Sequence, residues 1–234
     1  MTTNLTRSEA QSRTQLLEVD SYSVHIDVSN AETDADTYLS RTVVDFSARF
    51  VDSTFIDLIA DSVSSVLING ESLSPAEVFD GARVTFPVRA GRNSLTIEAQ
   101  ARYSTSGEGL HRFIDPVDDR VYLYSQFETA DARRMFATFE QPDQKATFAL
   151  QVIAPSHWVV VSNSPTPEPE DGPYDGMSRW SFAPTVPIAT YLTALVAGEY
   201  HIDHGTITST KGELGADILC RQSLKEHLDA DRIR

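Results

Sequence analysis

The sequence predicts an all-β fold, a large antiparallel β-sandwich or saddle with a dozen or more strands. Stretches in which apolar and polar residues alternate recur along most of the 234 residues, and this period is typical of strands with one buried face. Asn-Gly at 69–70 and Asp-Gly at 80–81 each separate two such stretches, and both pairs suit the positive φ angles of a type I′ hairpin turn. The 41% of hydrophobic residues is ample for a buried core.

The first half of the chain divides into a polar lead-in and a series of strands. Residues 1–18 are polar and show no clear period, so we expect an N-terminal lead-in there. From Tyr22 to Val28 every second residue is apolar, which predicts a half-buried strand. The same pattern recurs further along the chain and around the two hairpin turns. The strands predicted in this half span 22–28, 42–50, 54–60, 66–68, 78–79, 84–88 and 95–103.

The second half continues the sheet pattern with two interruptions. A strand at 121–124 is followed by residues that predict a short helical turn near 130–137, and a new strand begins at Ala146. The acidic segment 164–173 is rich in proline and could be a linker. Because a strand resumes soon after it, at 179–182, we expect a long hairpin loop instead.

The C-terminal part predicts short strands and then the start of a helix. Residues 199–220 form several short alternating stretches. Ser223 is followed three residues later by Glu226, and this spacing predicts a capping box at the N-terminus of a helix.

Charge and cysteine content narrow the range of partners. A formal net charge of −15 and a pI near 4.7 disfavour binding to nucleic acid or to an anionic membrane surface. No apolar run approaches the ~18–20 residues needed to cross a bilayer. A lone cysteine, Cys220, cannot form an intrachain disulfide and fits a reducing compartment. We therefore expect a cytoplasmic protein with no nucleic-acid and no membrane partner.

Polar side chains cluster where the strand at 121–124 gives way to the helical turn. Gln126 and Glu128 follow the strand, and Arg133 and Arg134 lie in the turn. Side chains at such a junction can be held rigidly and still face a cleft. The residues alone leave two interpretations of Glu128 open, because its carboxylate could bind a ligand or could pair with one of the two arginines.

Residues 125–148 resemble the substrate-binding region of the aminopeptidase N family of zinc aminopeptidases. The matching motifs are Ser125-Gln126-Phe127-Glu128, Asp131-Ala132-Arg133-Arg134, Phe139-Glu140-Gln141-Pro142 and Lys145-Ala146-Thr147-Phe148. Ser125, Thr138 and Gln141 depart from the family's usual residues. The resemblance extends from about Leu16 to the end of the chain and is strongest at 107–150 and 178–200.

The resemblance implies the N-terminal domain of an aminopeptidase N-like zinc metallopeptidase. It implies that Glu128 holds the free α-ammonium of a peptide substrate and that Gln126 lines the pocket for the first side chain. Residues 19–220 would form the domain, and 221–234 would begin the helix that leads into the enzyme's own catalytic domain. Zinc is expected in the full-length enzyme and not in this chain, which has neither His-Glu-x-x-His nor Gly-x-Met-Glu-Asn. Alone, the chain should be inactive.

A second class of function stays open, a non-catalytic β-sandwich that binds sugar or protein partners. Trp158 and Trp180 could form an aromatic platform for a sugar, but core packing is the favoured interpretation of both rings. His201 and His204, with Glu199 nearby, could mimic a metal site. A spacing of three on a strand directs the two imidazoles to opposite faces, so a solvated turn is favoured.

Overall fold

The structure is a computed structural model that describes residues 4–234, and strands dominate it. The strands, numbered in chain order, are β1 (Leu17–Asp27), β2 (Thr37–Ala48), β3 (Asp52–Asp57), β4 (Ser62–Ile68), β5 (Glu71–Leu73), β6 (Arg83–Val88), β7 (Gly91–Arg102), β8 (Gly109–Ile114), β9 (Val121–Gln126), β10 (Thr147–Pro155), β11 (Val159–Ser162), β12 (Glu170–Asp171), β13 (Met177–Ser181), β14 (Leu195–Gly198), β15 (Tyr200–Asp203), β16 (Thr206–Ser209), β17 (Gly212–Gly215) and β18 (Ile218–Arg221). The α-helices are α1 (Arg7–Leu16), α2 (Pro75–Val78) and α3 (Ala230–Ile233), and the 3₁₀ turns are η1 (Ala132–Arg134), η2 (Thr190–Leu192) and η3 (Gln222–His227).

Two sheets organise these strands. The larger has eight strands in the order β12-β13-β10-β1-β2-β7-β4-β5, and the smaller has four in the order β11-β14-β9-β8. Three two-stranded sheets, β3-β6, β15-β18 and β16-β17, complete the described part of the chain. All pairings between these strands are antiparallel except that of β1 with β10, in which Tyr22 lies opposite Phe148. The predicted all-β, mainly antiparallel fold is therefore confirmed, as is the helical turn near 130–137.

Aromatic packing ties the larger sheet to the segment that follows η1. The Tyr22 ring stacks on Phe148 with centroids 4.6 Å apart and meets Phe136 edge-on at 6.3 Å. The backbone N–H of Phe139 donates to the Tyr22 hydroxyl at 3.1 Å. Since Tyr22, Phe136 and Phe139 are at most 1% exposed, residues 136–139 are fixed against the core.

Helix α1 occupies most of the segment predicted as a lead-in. Thr6 and Glu9 form a reciprocal capping box at its N-terminus. Arg13 and Leu16 are its buried residues, and a helix that buries an arginine has no clear apolar stripe. The polar pattern of residues 7–16 does not indicate this helix, although the Thr6-x-x-Glu9 spacing of a capping box is present in the sequence.

Of the two predicted hairpin turns, one is confirmed and the other differs. Asn69 and Gly70 join β4 to β5 with φ angles of 53° and 85°. At the second site α2 ends at Val78, Phe79 forms only an isolated antiparallel bridge with Val84, and of Asp80 and Gly81 only Gly81 has a positive φ. The Asp80 carboxylate accepts from the N–H groups of Ala82 and Arg83, so a side chain closes this turn.

The predicted capping box at Ser223 is wrong. Its hydroxyl donates to Asp115 at 2.6 Å and caps no helix, and the residues around it form the 3₁₀ turn η3. Phe50, the last residue of the strand predicted at 42–50, lies beyond the end of β2 and is 49% exposed. Within residues 4–234 no helix has the length and apolar character to cross a membrane. The cytoplasmic setting stays a prediction.

Candidate functional site

A cleft of about 630 Å³ opens between the N-terminal segment, the end of β3 and the turn after β9. The ionisable residues that line it are Asp57, Glu128, Asp131, Arg133, Arg134 and Glu140. Four carboxylates and two guanidinium groups thus face one space. The sequence already brings Glu128, Arg133 and Arg134 to this junction, whereas Asp57 has no signal there because it lies about 70 residues before the motif region.

The end of β9 presents Glu128 to this cleft. The alternation of the strand continues past its last residue, so that Tyr124, Gln126 and Glu128 are exposed while Phe127 is buried. Phe127 is 1% exposed and meets Phe136 edge-on at 6.2 Å. A buried aromatic ring therefore anchors the backbone on the N-terminal side of Glu128.

Gln126 lies beside the cleft and not on its wall. It pairs in register with Gly109 of β8, and its side chain is exposed. It is not among the residues that line the cleft, whereas Glu128 is. The structure thus places the two predicted binding residues on the same side of the strand end, separated by the inward-facing Phe127.

No described residue forms an ion pair or side-chain hydrogen bond with the Glu128 carboxylate. Arg134 pairs instead with Asp131, Nε to Oδ1 at 2.6 Å, and with Glu108 at 3.3 Å. The backbone N–H of Arg133 donates to Glu140. Of the two interpretations that the sequence left open, pairing of Glu128 with an arginine is not observed within residues 4–234.

The turn that follows Glu128 is held by its own polar contacts. The Asp131 N–H donates to the Phe127 carbonyl, and the Arg134 N–H donates to the Asp131 carbonyl, both at 3.0 Å. Close packing against β8 adds to this. Gly109 has a φ of +68°, and a Cβ there would lie 2.8 Å from the Arg134 Cβ. Glycine is therefore required where β8 meets the turn.

Glu140 is the buried carboxylate of the cleft. It is 6% exposed, and it accepts from the Thr190 hydroxyl at 2.7 Å and from the Arg133 N–H at 2.8 Å. Burial, aided by the nearby Asp57 charge, raises the pKa of Glu140 to about 7 despite these hydrogen bonds. At neutral pH this group carries less than a full negative charge.

Asp57 forms the floor of the cleft and is held by α1. It is 1% exposed and lies 3.1 Å from Arg13 and 3.5 Å from the Nε of Arg83. The Glu140 N–H also donates to it at 3.2 Å. Asp57, Asp131 and Glu140 are thus each neutralised or hydrogen-bonded, which distinguishes Glu128 from the other carboxylates.

The residues considered for other functions lie elsewhere. Trp158 and Trp180 are 4% and 3% exposed, so their assignment to the core is confirmed. His204 is exposed and contacts Asp217 at 3.0 Å, whereas His201 lies in β15 opposite Cys220. His201 and His204 belong to no group of potential metal ligands among the described residues.

Comparison with known proteins gives consistent matches. A sequence profile of the Peptidase M1 N-terminal domain matches residues 69–192. Over 233 residues, 99% of this chain, the sequence is 50% identical to aminopeptidase N of Streptomyces lividans and covers 26% of that protein. It is 35% identical over 159 residues to aminopeptidase N of Acetobacter pasteurianus, covering 62% of this chain and 43% of that protein. It is 29% identical over 125 residues to glutamyl aminopeptidase of Sus scrofa, covering 53% and 13%. The chain therefore spans about a quarter of the length of the S. lividans relative.

Proposed function

The chain belongs to the peptidase M1 family as an N-terminal domain, and from that premise we propose that it contributes to substrate binding in a zinc metalloaminopeptidase. Such an enzyme removes N-terminal residues from peptides. The substrate is then a peptide with a free N-terminus. The observation that carries this proposal is the Glu128 carboxylate, which is exposed, lines the cleft and has no ionic partner among the described residues.

Glu128 is proposed to bind the α-ammonium of the substrate. A charge-assisted hydrogen bond contributes roughly 1.5–3 kcal/mol, and an α-ammonium group is present only at the start of a peptide chain. A carboxylate already paired with arginine would lose that interaction in order to bind substrate. Because Glu128 has no such pair among the described residues, its charge is available to a cation.

Gln126 is proposed to border the pocket for the first side chain of the substrate. It is exposed on the same side of the chain as Glu128, two residues away. An amide can donate and accept hydrogen bonds without adding charge, so it can contact a neighbouring peptide group whichever side chain the substrate carries.

The hydrolytic zinc of such an enzyme does not fit the residues of this chain. The 234 residues contain no His-Glu-x-x-His, so they do not supply the ligand set of that metal. We propose that residues 19–220 act as the N-terminal domain and that 221–234 lead towards a catalytic domain, which is the domain's own partner and holds the zinc.

The test is the variant Glu128→Gln in the full-length enzyme. Loss of one charge-assisted hydrogen bond should reduce kcat/KM on an aminoacyl anilide by about 10- to 100-fold, mainly through a higher KM. Wild type should discriminate strongly against the same substrate without its α-amine, and the variant should lose that discrimination. Glu71→Gln, an exposed glutamate on β5, is the matched control. An unchanged KM and an unchanged preference for the free amine would refute the role of Glu128.

A sugar- or protein-binding module is less well supported. That alternative predicts an exposed platform of aromatic rings, and both tryptophans are buried. Of the exposed aromatic residues, Tyr124 lies on β9, Phe50 lies between β2 and β3, and Tyr174 lies between β12 and β13. No observation in the described residues favours this function.

A further inference from the structure

Three side chains that are far apart in the sequence meet beside Trp158. Glu32 lies in the turn after β1, His157 lies between β10 and β11, and Glu199 lies between β14 and β15. The His157 Nε2 is 3.2 Å from the Glu32 Oε1 and 3.5 Å from the Glu199 Oε1. All three atoms lie within 4.8 Å of one another. One imidazole and two carboxylates therefore converge on one point.

The two distances from the His157 nitrogen match edges of a coordination tetrahedron. Zn²⁺ binds imidazole nitrogen and carboxylate oxygen at about 2.0–2.2 Å, which places neighbouring ligand atoms of a tetrahedron roughly 3.3–3.5 Å apart. The two nitrogen-to-oxygen distances of 3.2 and 3.5 Å lie at these values. The ion would need no large movement of the His157 ring relative to either carboxylate.

Neighbouring donors orient both carboxylates. The indole N–H of Trp158 donates to the Glu32 Oε1 at 3.2 Å, and Trp158 is only 4% exposed, so this donor is fixed in place. The Arg120 Nε lies 3.0 Å from the Glu199 Oε2, which is the carboxylate oxygen that does not face His157. Such outer contacts hold metal ligands in position. The exposed edges of Glu32 and His157 leave room for a water as a fourth ligand.

We propose that Glu32, His157 and Glu199 bind a Zn²⁺ ion. The two carboxylates balance the charge of the dication. The ion would link the turn that follows β1 of the larger sheet to the loops before β11 and after β14 of the smaller sheet. Because it would hold the two sheets together, it would stabilise the described fold. The competing interpretation is a protonated His157 that forms ion pairs with the two glutamates.

Zinc binding to the 234-residue chain tests the proposal. After treatment with a chelator, the chain is titrated with ZnCl₂ by calorimetry and by tryptophan fluorescence, since Trp158 contacts Glu32. We expect one ion per chain, a change in emission and a rise of a few degrees in Tm at saturating zinc. Binding should weaken on acidification because protons compete with zinc for the imidazole.

Variants separate this site from adventitious binding. His157→Ala and Glu32→Gln should each abolish the binding and the rise in Tm, while His204→Ala, at an exposed histidine that also contacts a carboxylate, should keep both. If His157→Ala fails to fold, the isosteric variant Glu32→Gln still tests whether the site binds zinc. Absence of saturable binding up to about 100 µM zinc, or equal binding by wild type and His157→Ala, would overturn the proposal.

Discussion

The backbone N–H of Arg133 donates to the buried carboxylate of Glu140 at 2.8 Å, and this contact holds the turn that follows the exposed Glu128. Two glutamates of one cleft thus have opposite environments. Burial favours the neutral form of Glu140, whereas solvent leaves Glu128 available to a cation. The first shapes the site and the second is proposed to contact substrate.

The pKa of Glu140 predicts a pH-dependent stability. Its folded pKa of about 7 lies above the ordinary value of 4.5, so the folded state binds more protons between these values. The free energy of unfolding contributed by this group therefore falls as pH rises from about 4.5 to about 7. Glu140→Gln keeps an acceptor for the Arg133 N–H and should flatten this slope. At pH 8 it should be more stable than wild type by on the order of 2–3 kcal/mol.

Urea unfolding at a series of pH values measures this slope. Glu9→Gln is the control, because the bond to Arg83 lowers the pKa of Glu9 to about 2. The stability that Glu9 contributes is complete above about pH 4.5 and is lost only as pH falls towards 2, so its removal should leave the slope between 4.5 and 7 unchanged. Parallel wild-type and Glu140→Gln curves in that window would show that Glu140 titrates normally.

Gly109→Ala should destabilise the fold where β8 meets the turn. Alanine at a φ of +68° is strained, and its Cβ would lie 2.8 Å from the Cβ of Arg134, which cannot swing away as a side-chain tip could. We expect a loss of about 1–3 kcal/mol in the free energy of unfolding. Gly215→Ala, with no heavy atom within 4 Å of its Cβ, should change stability by no more than about 0.5 kcal/mol. Equal effects of the two variants would argue against the tight contact.

The sheet could be predicted because its signal is local. In β1 every second residue from Tyr22 to Ile26 is buried, and this period can be read without knowing which strands are neighbours. The substrate-binding candidates Gln126 and Glu128 could be found for the same reason, since they lie in one continuous motif. The cleft itself could not, because Asp57 reaches it from β3 through the tertiary fold.

Contacts between distant segments explain what the sequence did not indicate. Glu32, His157 and Glu199 come together only through the pairing of β1 with β10 and of β11 with β14, and no two of them share a short motif. In the sequence Glu199 lies close to His201, whereas the fold brings it to His157. A search for metal-ligand spacings along a sequence finds sites whose ligands lie on one element. It does not find sites whose ligands come from separate sheets.

Arg13→Ala should show that α1 is part of the folded domain and not a loose lead-in. Arg13 and Asp57 form a buried ion pair, and the guanidinium also lies 4.4 Å from the centroid of the Phe55 ring. Removal of one member leaves a buried carboxylate with Arg83 as its remaining cation, so we expect a loss of about 3 kcal/mol in the free energy of unfolding. Arg7→Ala, at an exposed site on the same helix, should cost less than about 0.5 kcal/mol. Urea unfolding measures both variants. A small and equal loss of stability in the two variants would mean that α1 contributes little to the folded domain. A much larger loss for Arg13→Ala means that the helix holds Asp57, and through it Glu140, in the floor of the cleft.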